Sequence, residues 1–209
     1  MNLVIIGAGG LGREIYDLAM VCYGNLPDFK IKGFLSMEQT NIEDLGYPKI
    51  ISNSFDYVIE EDDVFFCAIG AVLNRKKVVE NILKKGGTFI NLIHPTAIIS
   101  PSVTLGIGIA IKSYCVISSD VTIGDFTFLQ SSVIMGHDVK TGKFCQVNSF
   151  SFFAGYAQIS DCVTVNAGAK LIQNVKVEEE AVVGVGSVVL SKVKKGTTVF
   201  GSPAKRLML

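Results

Sequence analysis

From Ile93 onward one spacing governs the chain: a large apolar residue stands at every sixth position. Of the seventeen residues on that spacing between Ile93 and Val189, sixteen are large and apolar, and only Thr141 departs. In a chain that is 49% apolar, such a run arises by chance about once in 10⁴ trials. A second row, four residues further on, runs from Ala97 to Val193; its members are small or β-branched, and none is charged, glycine or proline. An α-helix cannot sustain a period of six, and a simple hairpin sheet shows a period of two without the second constraint. Short flat strands that turn a corner every six residues produce both rows. One row fills the interior of a prism, and the other has to fit a tight corner. Three hexads make one coil of 18 residues, so about five to six coils stack at about 4.8 Å each.

Before Ile93 the pattern is different. Leu3–Ile6 reads as a buried strand, Gly10–Tyr23 as a helix with apolar spacing at Leu11, Ile15, Leu18 and Ala19, and Ile31–Leu35 as a second strand. Val64–Ile69 follows as a third strand, Asn74–Lys85 as an amphipathic helix and Thr88–Ile93 as a last strand. Strands alternating with helices predict a parallel sheet with crossover helices. The expected organisation is therefore an α/β Rossmann-like domain over residues 1–91 and a parallel β-helix over 92–209.

Gly7, Gly9 and Gly12 spell G-x-G-x-x-G between the first strand and the first helix. Such a loop brings backbone N–H groups and a helix N-terminus to a phosphate. A dinucleotide site also wants a carboxylate at the end of the second strand. Here that strand ends Gly33-Phe34-Leu35-Ser36-Met37, with no carboxylate at its tip. The domain is also only about half of a dinucleotide fold, which argues against redox use.

Nineteen basic residues balance nineteen acidic ones, so no overall field favours nucleic acid or an anionic membrane. No apolar run approaches the roughly 20 residues that span a bilayer, and the N-terminus lacks the basic start of a signal peptide. The five cysteines are odd in number and widely spaced, without a CxxC pair. That suits reduced thiols in the cytoplasm, not a disulfide frame or a zinc site.

Two histidines exist, His94 and His137. His94 precedes Pro95 at the entry to the first hexad and is expected to serve a turn or packing role. His137 lies at a bend between Met135 and Val139, so its ring is expected to point outward. Asp138 follows it, and Gly155 lies 18 residues on, at the same corner of the next coil. A base, a carboxylate and a glycine amide gathered in one groove suit acyl transfer from a thioester: imidazole takes a proton from the attacking group, and an N–H holds the oxyanion.

The motifs GAGGLGREI at Gly7–Ile15, LIHPTA at Leu92–Ala97, GHDV at Gly136–Val139 and FGSPAKRL at Phe200–Leu207 occur in one order along nearly the whole chain. In this the chain resembles the hexapeptide-repeat sugar acetyltransferases of the sialic acid O-acetyltransferase and UDP-amino-sugar N-acetyltransferase type. The resemblance implies a left-handed β-helix, a homotrimer, acetyl-CoA as co-substrate without a metal, and a nucleotide-sugar acceptor used in surface glycan assembly. It implies His137 as general base supported by Asp138, with Gly155, Ala167, Val185 and Gln146 on the cofactor side. Gly9, Gly10, Leu11, Ser36 and Gly70 are implied on the sugar-nucleotide side. The Gly201–Lys205 loop is implied as a pantetheine wall, with Lys192, Lys194, Lys195, Lys205 and Arg206 near the cofactor phosphates. The chain departs from the family at Ser36 and Met37, where an acidic pair is usual, at Leu11 and Gln146, where histidines occur, and at Gln130, where asparagine occurs. Arg13 and Glu14 match the sialic acid branch. Nitrogen or oxygen as the acylated atom, another acyl-CoA, a non-sugar acceptor and a non-catalytic trimeric nucleotide-sensing scaffold stay open. A metal-dependent hydrolase on a similar coil needs more than two histidines.

Overall fold

The computed structural model describes residues 1–38 and 41–207. The chain divides into two compact units, Met1–Leu92 and Ile93–Leu209.

In the first unit β1 (Asn2–Ile6), β2 (Lys30–Leu35), β3 (Ile50–Ser52), β4 (Asp63–Cys67) and β5 (Thr88–Phe89) form a parallel sheet in the order β3-β2-β1-β4-β5. Leu3, Val4 and Ile5 are fully buried, as befits a central parallel strand covered on both faces. Helix α1 spans Gly10–Tyr23 as its spacing predicts and buries Gly12, Ile15, Leu18 and Ala19. Helix α2 spans Val72–Lys84, starting ahead of the expected Asn74, and buries Val78, Val79 and Ile82. The edge strand β3 and the 3₁₀ turn Ile42–Leu45 were not expected, since three or four residues are too short to show a period. The strand expected over Thr88–Ile93 is two strands. After Phe89 the Ile90 N–H makes a last bond to Phe65 O (3.2 Å), and a separate strand, Leu92–Ile93, begins the coil.

A polar cluster lies on β2 and β4. Lys32 Nζ contacts Asp63 Oδ1 and Glu60 Oε2, both at 2.9 Å. The Tyr57 hydroxyl (2.7 Å) and the Glu60 N–H (2.9 Å) donate to Asp63 Oδ2. Burial pushes the Asp63 carboxyl up, but the Glu60 amide, Lys32 and Tyr57 outweigh it and hold it below the ordinary carboxylate range. Lys32 is displaced upward because Tyr57, Glu60 and Asp63 outweigh its own desolvation.

In the second unit nearly every strand is two residues long and pairs in parallel with the strand eighteen residues away, as Ile134 does with Phe152. Three sheets result. The first face carries strands from Ile98–Ile99 to Val188–Val189, the second from Thr104–Leu105 to Lys176–Val177, and the third runs from Leu92–Ile93 through Ala110–Ile111 and Val182–Val183 to Thr198–Phe200. Short antiparallel strand Lys205–Arg206 borders the third face.

The row from Ile93 fills the interior as expected, with Ile111, Leu129, Met135, Val147 and Phe153 fully buried. Its one exception, Thr141, turns its Oγ1 to accept the Gly124 N–H (3.2 Å), which satisfies a buried hydroxyl. The second row corrects the corner expectation. Ile109, Cys115, Val121, Thr127, Val133 and Val139 are also fully buried; they follow the turn and point into the narrowing angle of the prism, which is why they are small or β-branched. The corner itself is one residue earlier. There Tyr114, Asp120, Phe126, Ser132, Asp138 and the later members of the row have φ near +60°, with glycine at Gly108, Gly168 and Gly186. Sequence patterning gave no sign of this row, because most of its members are not glycine. No helix among the described residues is long and apolar enough to cross a membrane.

Candidate functional site

Two sites can be built from these elements, one in each unit. In the coil, the strand Ile134–Met135 on the first face passes through Gly136, His137 and Asp138 to Lys140–Thr141 on the second. Asp138 sits at φ 59°, and this left-handed residue brings two consecutive side chains to the same outer side of the corner. His137 Nδ1 lies 2.9 Å from Asp138 Oδ2. An ionised carboxylate only accepts, so Nδ1 carries the proton and Nε2 keeps its lone pair. The imidazole is about half exposed, with 56% of its side-chain surface open. A base nitrogen is thus presented outward and oriented from behind.

One coil on, Gly155 lies against the ring edge. A Cβ built there would stand 2.7 Å from both Nε2 and Cε1 of His137, so only glycine leaves the ring its place. The Gly155 N–H makes no hydrogen bond among the described residues. At the next corner the equivalent amides are taken: Lys143 N–H donates to Asp161 (2.8 Å) and Ile107 N–H to Asp125 (3.1 Å). An unspent amide beside a base nitrogen is a donor for an oxyanion.

Two contributions went unread in the sequence, the spacing role of Gly136 and the presence of Tyr156. Gly136 lets the next coil approach, since a Cβ there would lie 2.9 Å from Gly155 N. Tyr156 packs its ring against His137 with centroids 5.1 Å apart at 87°; its spacing of eighteen from Asp138 was the available signal. His94 has the expected turn role: its Nδ1 accepts from the Thr96 N–H (3.2 Å) and lies 2.8 Å from Thr96 Oγ1.

The single chain does not bring all the anticipated cofactor residues to this corner. Ala167 and the exposed Val185 lie at the corner joining the third and first faces. Gln146 is on the third face, buried, with its amide donating to Asn148 Oδ1 (3.0 Å). Among the basic residues, Lys192 pairs with Glu178, and Lys195 with Glu179. Lys194 and Arg206 line a separate cavity of about 250 Å³ at the last coil.

The second site is a cleft of about 510 Å³ at the C-terminal ends of β1, β2 and β4, where the winding of an open parallel sheet reverses. Gly9, Gly10, Leu11, Ser36 and Gly70 all line it. The three glycines of the loop divide by physical role. A Cβ on Gly7, which has φ +108°, would be 2.7 Å from Ala68 O, and one on Gly12 would be 2.0 Å from Gly7 O; both are demanded by packing. A Cβ on Gly9 would meet nothing within 4 Å, so that position opens to a ligand. Gly9 caps α1 without any side-chain bond, which leaves the first helical amides for an anion. Buried Arg75 donates to Ile69 O (3.1 Å) and braces the loop after β4. The tip of β2 carries no carboxylate, as expected, but one follows three residues on. The Glu38 N–H donates to Ser36 Oγ (3.1 Å), and Glu38 lines the cleft together with Lys77 and Asn74 of α2. Among the described residues no group of three or more His, Cys, Asp or Glu is placed to hold a metal.

Residues 2–82 match the PglD N-terminal domain family. The chain is 28% identical over 208 residues to the GDP-perosamine N-acetyltransferase of Escherichia coli O157:H7, covering 97% of this chain and 84% of that protein. It is similar to the crystal structure of PerB from Caulobacter crescentus in complex with CoA and GDP-perosamine, with 27% identity, a TM-score of 0.90 and coverage of 100% and 98% of the two chains. It is also similar to the acetyltransferase domain of PglB from Neisseria gonorrhoeae in complex with acetyl coenzyme A, with 26% identity, a TM-score of 0.88 and coverage of 99% and 98%.

Proposed function

We propose that this chain, which belongs to the sugar acetyltransferase family, moves the acetyl group of acetyl-CoA to an amine of a sugar carried on a nucleoside diphosphate. The observation that carries the proposal is the outer corner where the His137 ring, held at Nδ1 by Asp138, lies with Nε2 beside Gly155, whose N–H makes no hydrogen bond among the described residues. The related proteins that bind CoA and GDP-perosamine support the acceptor class. In the reaction the acceptor nitrogen attacks the thioester carbonyl carbon as His137 Nε2 takes its proton. The oxygen becomes an oxyanion held by the Gly155 N–H. Collapse breaks the carbon–sulfur bond, and the imidazolium returns the proton to the departing CoA thiolate. Asp138 stabilises the cationic ring between the two transfers.

The nucleotide diphosphate is assigned to the Gly9–Gly10 end of α1, with Glu38 and Lys77 at the cleft walls. We further propose a cyclic trimer. The outward positions of the first four strands of the first face are Ile98, Val116, Ile134 and Phe152, from 36% to 67% exposed, before Lys170 and Val188 on the last two strands, and an apolar stripe of this kind suits a second copy. Such packing sets the corner of Ala167 and Val185 in one subunit against the His137 corner of its partner, with acetyl-CoA between them.

The test is a thiol-release assay with acetyl-CoA and a panel of nucleotide-linked amino sugars and hydroxy sugars. Turnover is expected with an amino sugar and is expected to fall about 10³-fold in His137→Ala, with the fold retained by circular dichroism. A His137→Ala protein as active as the wild type would remove the base assignment. For assembly, Ile134→Asp is expected to convert a trimer into monomers in light scattering; a wild-type monomer overturns the cleft between copies.

A further inference from the structure

One hydrogen bond does not fix a half-exposed imidazole. The Asp138 carboxylate holds Nδ1 at 2.9 Å, but a ring on an sp³–sp² torsion has a broad range of rotation. Gly155 leaves space on the Nε2 side instead of restraining it. The remaining contact is Tyr156. Its ring stands nearly perpendicular to the imidazole, 87° between planes and 5.1 Å between centroids, within the range of edge-to-face aromatic pairs. Tyr156 occupies the left-handed corner position at φ 62°, one coil on from Asp138. Its N–H donates to the carbonyl of His137 itself (3.0 Å). Backbone and side chain of Tyr156 thus grip the same residue, and Asp138 and Tyr156 bracket the imidazole from consecutive coils.

The core does not need this ring. Tyr156 is 45% exposed, whereas Val139 and Ala157 fill the interior beside it and are fully buried. Its row carries Ser102, Asp120, Asp138, Asn174 and Lys192 in the other coils, so the corner accepts polar, non-aromatic residues. An aromatic is present at the one level where an imidazole stands beside it.

We propose that Tyr156 is a positioning residue, whose ring holds the His137 imidazole in the orientation that keeps Nδ1 on Asp138 and aims Nε2 at the acceptor. This inference rests on His137 as the base. It assigns Tyr156 no proton transfer, because the ring and not its hydroxyl makes the contact.

The experiment uses nitrogen-15 labelled full-length protein. With only two histidines in the chain, the imidazole resonances separate cleanly, and His94 is identified from the spectrum of His137→Ala. At pH 8 the wild type and Tyr156→Phe are expected to show His137 as the Nδ1–H tautomer. Tyr156→Ala is expected to show a mixture of tautomers, with kcat about tenfold lower, KM for acetyl-CoA within about twofold, and Tm unchanged. Wild-type tautomer and kcat in Tyr156→Ala would overturn the inference. A Tyr156→Phe protein as slow as Tyr156→Ala would also overturn it, by making the hydroxyl the working group. Turnover retained in His137→Ala is a different failure, that of the base assignment.

Discussion

Replacing Gly155 by alanine separates the geometry of the catalytic corner from the stability of the coil. The added Cβ would stand 2.7 Å from His137 Nε2 and Cε1, whereas carbon contacts are comfortable at about 3.5–4.0 Å. The ring must therefore retreat by about 1 Å. That stretches the Nδ1 to Asp138 bond of 2.9 Å beyond hydrogen-bonding range, or swings the ring out into solvent. A displacement of about 1 Å at a reacting group costs on the order of 10²-fold in rate, equivalent to about 2.7 kcal/mol in the barrier. Stability is expected to change by only about 0.5 kcal/mol, because Gly155 is not among the positive-φ residues and the obstructing ring is exposed and movable. Gly136→Ala is the control. Its Cβ would be 2.9 Å from Gly155 N and 3.1 Å from Phe153 O, both backbone atoms of the next coil, and Phe153 O is held by the Gly136 N–H itself (2.8 Å). Opening that stack costs about 1–3 kcal/mol. Thiol-release kinetics and thermal melts on the two proteins read both quantities. Gly155→Ala at more than half the wild-type kcat would refute the steric argument, and so would a Gly155→Ala protein that melts as early as Gly136→Ala.

The nucleotide loop gives a similar contrast: Gly9→Ala should fold normally yet bind nucleoside diphosphate about tenfold more weakly by calorimetry, whereas Gly12→Ala, meeting Gly7 O at 2.0 Å, should fail to yield soluble folded protein. Asp63→Asn removes a buried partner of Lys32 and should cost about 3 kcal/mol in urea unfolding at neutral pH. Since the folded Asp63 carboxyl is held below its unfolded value, this contribution is present above about pH 4 and lost as pH falls through the lowered value, so the gap between the two proteins should close in acid. Lys32 is raised, so its contribution is present below about pH 10.4 and lost only as pH rises above that. Asp138→Asn keeps a residue that tolerates positive φ but removes the charge; the expected result is an unchanged melting temperature with kcat about tenfold or more lower, and full activity would show that the carboxylate is dispensable.

Some features were legible because they follow from arithmetic. Gly155 was found by adding one coil length to His137, and the same step from Asp138 points to Tyr156. Helix α1 was read to its ends because Gly9 and Gly24 bracket a clear apolar spacing. Other features have no one-dimensional signature. The left-handed corner row is occupied by Tyr, Asp, Phe, Ser, Cys, Asn and Glu, so no residue type betrays it. Glu38 lines the cleft from beyond the end of β2, where strand register no longer applies, and its N–H bonds Ser36. Ala167 and Val185 lie twelve and thirty residues past Gly155, neither a whole number of coils, so the period itself places them at another corner of the chain.

The left-handed row also explains why an acid and a base can be sequence neighbours here. In an extended strand, residues at i and i+1 point to opposite faces, and a carboxylate following a histidine could not reach its ring. At φ 59° Asp138 reverses that relation. The conformation costs on the order of 1 kcal/mol for a residue other than glycine, and aspartate is among the side chains that bear it best. The cost is met at most corners by the ladder, as where the Asp138 N–H bonds Ser119 O at 3.0 Å, and at Tyr114 and Asp120 by a hydroxyl of the preceding coil, so the coil supplies the strained geometry whether or not a corner is catalytic. Function then needs few residues at a single corner: an imidazole at the first turn position, a carboxylate at the second, and one coil later a glycine that leaves both the ring and its own amide unobstructed.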